Sequence, residues 1–185
     1  SLALAFLDQM NLPVALPTIQ QQLHLSSIEL QWLINAYLLT WAVFVLAGGY
    51  LADQFGMRGT FCIGVLLFAF ASIACGFSFS GWWFILFRAL QGTGTALMLP
   101  AAIGIIISIF PKEQQGKAIG IYSGCAAVFL AMGPFMGGLF TQLLSWRWIF
   151  WVNIPIALYS CALCFFALPS IESKSKRFDL IGFLL

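Results

Sequence analysis

Charged side chains are scarce in this chain of 185 residues. Only 8% of the residues are charged, eight lysines and arginines against six aspartates and glutamates, whereas 62% are hydrophobic. A soluble domain contains about 25% charged residues, so this composition cannot cover the surface of a water-soluble globule. The net charge of +2 gives no indication of nucleic-acid binding. The composition therefore predicts a membrane protein that is embedded in the lipid bilayer.

Groups that bind metals or catalyse reactions are also few. The sequence has a single histidine and five cysteines. Cys161 and Cys164 have the spacing of a redox or zinc pair, but no second pair of ligands accompanies them, and apolar filler is the better interpretation. The apolar runs contain no HExxH motif, no GxSxG motif and no paired carboxylates. We therefore predict no metal, no cofactor and no enzymatic activity.

Long apolar runs make up most of the chain. About 20 residues cross the hydrocarbon core as a helix, and continuous rather than alternating runs exclude membrane strands. The predicted all-α bundle, residues 1–168, has spans at 1–21, 30–52, 59–79, 82–109, 117–144 and 148–168. A basic loop at 169–178 and the start of a seventh helix at 179–185 follow. Because the chain opens and stops inside apolar runs and does not begin with methionine, we expect a fragment.

The basic residues predict the orientation of the spans. One side of the predicted membrane carries six of them: Arg58, Lys112, Lys117, Lys174, Lys176 and Arg177. The other side carries Arg147 and the neutral His24. Cytoplasmic loops are enriched in lysine and arginine. The N-terminus and the loops after spans two, four and six are therefore predicted to be cytoplasmic.

The first three spans resemble the next three. Leu7-Asp8 and Leu16-Pro17 recur as Leu90-Gln91 and Leu99-Pro100, at an offset of 83. The glycine pair 48–49 with Asp53 and Arg58 recurs as the glycine pair 137–138 with Gln142 and Arg147, at an offset of 89. Because three is odd, the second copy crosses the membrane in the opposite direction. Inverted three-helix repeats are typical of secondary transporters.

Two ionisable residues, Asp8 and Arg88, lie inside predicted spans. Such residues are expensive in a membrane and usually face the bundle interior or an aqueous cavity. Asn11 shares a helical face with Asp8, and Gln91 follows Arg88 by almost one turn. A proton and substrate site is one interpretation, because a carboxyl group in an apolar cavity binds a proton more readily while a nearby arginine favours its ionised form. A purely structural ion pair is the alternative.

Two motifs resemble those of the major facilitator superfamily of transporters. The segment 49–58 has the spacing of the loop that follows the family's second helix, carried here by Gly49, Asp53, Gly56 and Arg58. The segment 88–94 is similar to the family's fourth-helix motif, R-x-x-x-Q-G-x-G. The resemblance implies a conformational latch at Asp53 and a role in proton movement for Arg88. The alternative for Asp53 and Arg58 is an ordinary helix end that follows the charge rule.

The fifth span adds a motif associated with exporters of that superfamily. Its residues are Gly124, Gly133, Pro134, Gly137 and Gly138, and glycines at 116, 120 and 124 continue the small-residue spacing. Small residues let helices approach closely, and proline removes one backbone hydrogen bond. Segments 7–19, 146–155 and 179–185 resemble the fourteen-helix multidrug exporters of the EmrB/QacA type.

The resemblance implies the N-terminal half of a drug:proton antiporter. Such a protein exports small amphipathic compounds in exchange for protons by alternating access, together with a C-terminal half of the same chain. In this interpretation Asp8 and Arg88 handle the proton, and Asn11 and Gln91 line the cavity. It also implies a multi-pass protein of the cell (inner) membrane. An importer of the same superfamily and a non-transporting membrane protein that kept the fold are the alternatives.

Overall fold

The computed structural model describes residues 1–167, and the secondary structure of this part of the chain is entirely helical. The helices are α1 (Leu2–Leu23), α2 (Ser27–Phe55), α3 (Met57–Gly76), α4 (Gly81–Ile109), α5 (Lys112–Leu143), α6 (Trp148–Trp151) and α7 (Asn153–Ala167). The short α6 and α7 together form the span Trp148–Phe166. The predicted basic loop 169–178 and seventh helix 179–185 lie outside the described residues.

Six helical segments in residues 1–167 are long and apolar enough to cross a membrane. Their number and order agree with the six predicted spans. The largest difference is at the fifth span, which begins at Lys112 and not at residue 117. Pro111 immediately precedes this helix, and its ring fixes a backbone angle compatible with helix entry. The charged residues predicted as loop are therefore the first turn of α5.

The junction of α2 and α3 also differs from the prediction. Residues 53–58, between the predicted spans 30–52 and 59–79, were expected to form a tight turn, but α2 continues to Phe55 and α3 starts at Met57. Only Gly56 separates the two helices, with φ of 92°. This is the left-handed region that favours glycine. Asp53 and Arg58 consequently belong to the last turn of one helix and the first turn of the next.

A complete capping box starts α2. The Ser26 hydroxyl accepts from the backbone N–H of Glu29 at 3.3 Å, and the Glu29 carboxylate accepts from the backbone N–H of Ser26 at 2.9 Å. This reciprocal pair satisfies two backbone donors that a helix start otherwise leaves unpaired.

Replacing Ser26 with alanine should destabilise the folded protein by about 1 kcal/mol, since the cap bond is lost while the helix remains. Thermal unfolding in detergent would measure this change. Ser27→Ala is the matched control, because Ser27 lies inside the helix and does not form the cap. Equal effects of both substitutions would show that the capping box contributes nothing.

The helices pack as an inverted repeat requires. In the two copies of the repeat, α1 corresponds to α4, α2 to α5, and α3 to the span formed by α6 and α7. The extensive interface between α2 and α4 accordingly has its counterpart in the interface between α1 and α5. The remaining helix of each copy, α3, packs on α7, its own counterpart. The two copies are therefore interleaved rather than side by side.

One glycine in each copy permits these paired interfaces. A Cβ atom on Gly48 of α2 would lie 2.1 Å from the backbone oxygen of Ala96 in α4. A Cβ atom on Gly137 of α5 would lie 2.8 Å from the backbone oxygen of Asn11 in α1. The two glycines correspond at the offset of 89 found in the sequence. At both places the helix backbones touch with no room for a side chain.

Burial is uneven across the bundle. The α3 and α4 helices are the most enclosed, whereas α2 and α5 leave most of their surface uncovered by the rest of residues 1–167. Large apolar side chains such as Leu46, Trp82 and Phe135 are exposed. In lipid such surfaces are expected, since hydrocarbon tails are as apolar as the side chains.

Candidate functional site: a buried ion pair between the two repeats

Asp8 lies in the interior of the bundle and is fully buried. It sits on the face of α1 that also buries Asn11 and Ala15, as the i, i+3, i+7 spacing predicts. One carboxylate oxygen accepts a hydrogen bond from the Arg88 guanidinium in a buried ion pair. The two ionisable residues predicted to lie in the membrane are therefore direct partners.

Arg88 is surrounded by acceptors in addition to Asp8. Its Nε donates to the backbone oxygen of Leu33 at 3.0 Å, and one terminal nitrogen donates to Gln91 Oε1 at 2.8 Å. The guanidinium lies 4.5 Å from the centre of the Tyr37 ring, within the range of a cation–π contact. Both partners on α2 would remain available to Arg88 if Asp8 were neutral.

Gln91 connects α4 to two neighbouring helices. Its amide nitrogen donates to the second oxygen of Asp8 at 2.9 Å and to the Ser72 hydroxyl at 2.7 Å. Asp8 and Gln91 are the residues that correspond at the offset of 83. The site is therefore built across the contact between equivalent positions of the two repeats.

Asn153 completes the contacts of the carboxylate, and its part in the site was not predicted. Its amide nitrogen donates to the same oxygen of Asp8 at 3.2 Å. Asn153 is the first residue of α7, directly after the break at Val152, and it is fully buried. Its position two residues before Pro155 marks a helix start, but no local pattern indicates a contact with α1.

The two residues predicted to line a substrate cavity are enclosed by the described bundle. Asn11 and Gln91 were expected to line a substrate cavity, but their side chains are 1% and 0% exposed. The polar face of Gln91 is closed by Ser72 of α3 and by Asp8 of α1. Both residues lie between helices of the bundle rather than on an open surface.

The exporter motif of α5 divides into two parts. Gly133 and Gly137 pack against Met10 and Asn11 of α1, close enough that a Cβ atom would collide with them. At Gly124 a Cβ atom would meet nothing within 4 Å among the described residues, and the same holds at 116 and 120. Pro134 lies within the continuous helix, and a Cβ atom on Gly138 would be in ordinary contact with Val14. The second part of the motif contacts α1, and the first faces outward.

The junction motif joins α3 to the sixth span. Arg58 donates to the backbone oxygen of Phe165 in α7 and lies 4.5 Å from the centre of its ring. A Cβ atom on Gly49, one helix earlier, would lie 3.9 Å from Pro100 of α4. Arg58 lies in the first turn of α3, whereas Arg147 approaches the backbone oxygen of Ser78, which follows the other end of α3.

Residues 1–167 contain no group of three or more histidine, cysteine, aspartate or glutamate side chains arranged to hold a metal. The five cysteines are free. The buried cluster consists of one carboxylate that accepts hydrogen bonds from an arginine and two amides.

A bundle of six membrane helices in inverted repeats, with an ion pair at their centre, defines one half of a secondary transporter fold. The family profile described as Major Facilitator Superfamily matches residues 1–180. The chain therefore belongs to the Major Facilitator Superfamily, a family of transporters and not of enzymes.

Relatives by sequence include named export proteins. The chain is 40% identical over 181 residues to a tetracenomycin C resistance and export protein of Streptomyces glaucescens, covering 97% of this chain and 34% of that protein. It is 36% identical over 179 residues to a putative multidrug resistance protein, MdtD, of Escherichia coli O1:K1 / APEC, covering 97% of this chain and 38% of the relative. The chain thus spans about a third of the length of these relatives.

Solved structures share the fold. A crystal structure of a D-xylose–proton symporter matches with a TM-score of 0.75 at 18% identity, over 94% of this chain and 46% of the other. An inward-facing bacterial homologue of the human lysosomal transporter Spinster matches with a TM-score of 0.71 at 22% identity, over 98% and 44%. These two comparisons support the architecture and add nothing on substrate.

Proposed function

We propose that this chain is the N-terminal half of a proton-coupled secondary active transporter that exports amphipathic, drug-like compounds by alternating access. The observation that carries the proposal is the buried pair of Asp8 and Arg88, held between the two repeats by Gln91. Two relatives whose names include resistance support export rather than import. The C-terminal half, a second partner, would supply the rest of the substrate cavity.

The coupling follows from the two charge states of Asp8. When the carboxylate is ionised, it attracts Arg88 and ties α1 to α4. When it binds a proton, that attraction is lost, while Arg88 keeps Leu33, Gln91 and the Tyr37 ring as partners on α2 and α4. Proton binding therefore weakens the contact between α1 and α4, while Arg88 keeps its hydrogen-bond and cation–π partners. Movement of α1 relative to α4 is the step that would open the substrate site to one side.

The remaining motif residues take positions suited to this movement. Asn11 of α1 and Gln91 would reach substrate only when the bundle opens, since both are buried in this state. Gly133 and Gly137 form a close seam between α5 and α1, which moves with Asp8. Gly124 and the exposed Pro134 would pair with the C-terminal half, whereas Gly138 stays with the part of α5 that packs on α1. Gly49, Asp53, Gly56 and Arg58 would act as the conformational junction between α2, α3 and α7.

The chain is a multi-pass membrane protein, and we place it in the cell (inner) membrane with a cytoplasmic N-terminus. Arg58 and Arg147 lie at opposite ends of the bundle, and the charge rule assigns the end with Arg58 and Lys112 to the cytoplasm. Residues 169–178 would form a basic cytoplasmic loop, and 179–185 would begin the seventh helix.

Reconstitution of the full-length protein into liposomes tests the function. With an acidic lumen, outward proton flow should drive the lipophilic cation ethidium into the vesicles, because an antiporter exchanges the two in opposite directions. Fluorescence quenching reports accumulation, and nigericin, which collapses the proton gradient, should abolish it. Protein-free liposomes are the control.

The alternatives predict different results in the same vesicles. An importer that moves both solutes together would accumulate ethidium only when the outside is acidic. A non-transporting protein that kept the fold would give the same signal as protein-free liposomes in either gradient. Either result would contradict proton-driven export of this probe.

A further inference from the structure

Two buried amides beside Asp8 have polar atoms with no protein partner. Neither the nitrogen nor the oxygen of the Asn11 side chain makes a hydrogen bond to any residue of 1–167, and the same is true of Asn153 Oδ1. The two side chains are 1% and 0% exposed. Leaving such a group unpaired in a protein interior is unfavourable, because it loses its hydrogen bonds to water and gains none in return. In proteins these costs are usually avoided by a bound water molecule.

Both amides belong to residues close to Asp8. Asn153 donates to Asp8 at 3.2 Å from the start of α7. Asn11 is less than one turn from Asp8 on α1, and its backbone rests on Gly137 of α5. Two helices, α1 and α7, thus carry the unsatisfied donor and acceptor atoms, and Asn153 donates to the same Asp8 oxygen as Gln91.

We propose that Asn11 and Asn153 bind one buried water molecule against Asp8 and that this water delivers the coupling proton to the carboxylate. The proposal rests on the proton-coupled function proposed above. The Asn11 nitrogen would donate to the water, and the water would donate to Asn153 Oδ1 or Asp8. A hydronium at this position gives its proton to Asp8 and is left as neutral water, so that charge and atoms balance.

Asn153 is a positioning residue in this scheme. Its nitrogen fixes one oxygen of Asp8, and its own oxygen faces the water, so one side chain sets the distance between proton donor and acceptor. The break between α6 and α7 at Val152 places it there, because Asn153 begins a new helix and its side chain is directed across to α1. The sequence motifs of α1 and α4 contain Asp8, Arg88 and Gln91. Asn153 of α7 adds a contact to Asp8 that those motifs do not contain.

Infrared difference spectroscopy of the full-length protein tests the proposal. Spectra taken on exchanging the buffer between acidic and alkaline pH should contain an O–H stretching band that shifts when the water is replaced by H₂¹⁸O. That isotope shift identifies water and not a side chain. The band should be present in the native protein and absent in Asn153→Leu, which has similar size and no polar atoms.

Two further variants separate the water from general structural damage. Asn153→Ser keeps a small polar group with space for water and should retain the ¹⁸O-sensitive band. Ser78→Ala is the matched control, because Ser78 is also buried with an unpaired hydroxyl but lies in the α3–α4 turn. It should leave the band unchanged. Gradient-driven ethidium uptake should fall about tenfold in Asn153→Leu, the scale expected for losing one hydrogen bond to a charged group, and recover in Asn153→Ser.

The outcomes are distinct. A band that is absent from the native protein, or that survives unchanged in Asn153→Leu, overturns the water site. A band that depends on Asn153 in a protein that moves no ethidium supports the site and contradicts the proposed function instead. Loss of the band in Ser78→Ala would place the water elsewhere and would also overturn the assignment.

Discussion

In the full-length protein, replacing Asp8 with asparagine is expected to reduce proton-driven efflux to the level of protein-free liposomes while the bundle stays folded. Asparagine has the shape of aspartate and can still accept from Gln91, which now donates at 2.9 Å. It cannot take up a proton at physiological pH, so the cycle has no proton to exchange. Ethidium accumulation under an imposed pH gradient measures the loss.

Replacing the partner, Arg88, should have a different consequence. Arg88→Met leaves the Asp8 carboxylate buried without its cation, and breaking a buried pair in this way typically costs about 3–5 kcal/mol. Asp8→Asn should cost less, since Arg88 keeps the Leu33 oxygen at 3.0 Å and the Tyr37 ring. An unfolding titration with SDS in mixed micelles gives the free energies of unfolding.

The double variant Asp8→Asn, Arg88→Met distinguishes stability from transport. Removing both charges takes away the unpaired carboxylate, so most of the stability lost in Arg88→Met should return. Proton-driven efflux should remain absent, because the proton acceptor is still missing. Normal efflux in Asp8→Asn would contradict the proton site, and equal stability of all variants would contradict a buried pair.

Replacing Gly48 with alanine is expected to have the largest effect of any single methyl addition in the bundle. The added Cβ atom would lie 2.1 Å from the Ala96 carbonyl oxygen, a distance that forces the α2 and α4 backbones apart. Overpacking costs typically about 1–3 kcal/mol and more when no side chain can yield, so we expect at least about 3 kcal/mol here. The same SDS titration measures the change.

Gly59→Ala is the matched control for that experiment. Gly59 lies in the first turn of α3, and a Cβ atom there would meet nothing within 4 Å among the described residues. Alanine favours helix over glycine by up to about 1 kcal/mol, so this variant should be as stable as the native protein or more so. If Gly48→Ala unfolds no more easily than Gly59→Ala, the close approach of α2 and α4 is wrong.

Much of the fold could be predicted because membrane helices are specified by length and hydrophobicity. The six spans, their order and the correspondence of Asp8 with Gln91 were all read from local sequence. Helix ends were less accurate for a physical reason. Polar residues such as Lys112 and Asp53 can remain helical outside the hydrocarbon. Only Gly56 interrupts the helical backbone between α2 and α3.

The charged residues of the site could be predicted from the sequence, but the residues that enclose them could not. The cost of burying charge identifies Asp8 and Arg88 as functional candidates, and an ion pair between them was one of the two interpretations of the sequence. The burial of Asn11 and Gln91 depends on which helix covers them, and Ser72 and Asn153 come from elements that are 19 and 145 residues away from their partners. No pattern of neighbouring residues contains that information.

The contact between Asp8 and Gln91 also limits how the two halves of the bundle could have diverged from one duplicated segment. In a perfectly symmetric ancestor the same residue would occupy both positions, facing itself at about 2.9 Å. Two aspartates so close could not both be ionised, and two glutamines would offer no group to titrate. A single carboxyl at this place, which the proposed proton coupling needs, therefore requires that one copy lost, or never gained, its acid. The difference between the two copies at this position is therefore a requirement of the proposed proton coupling.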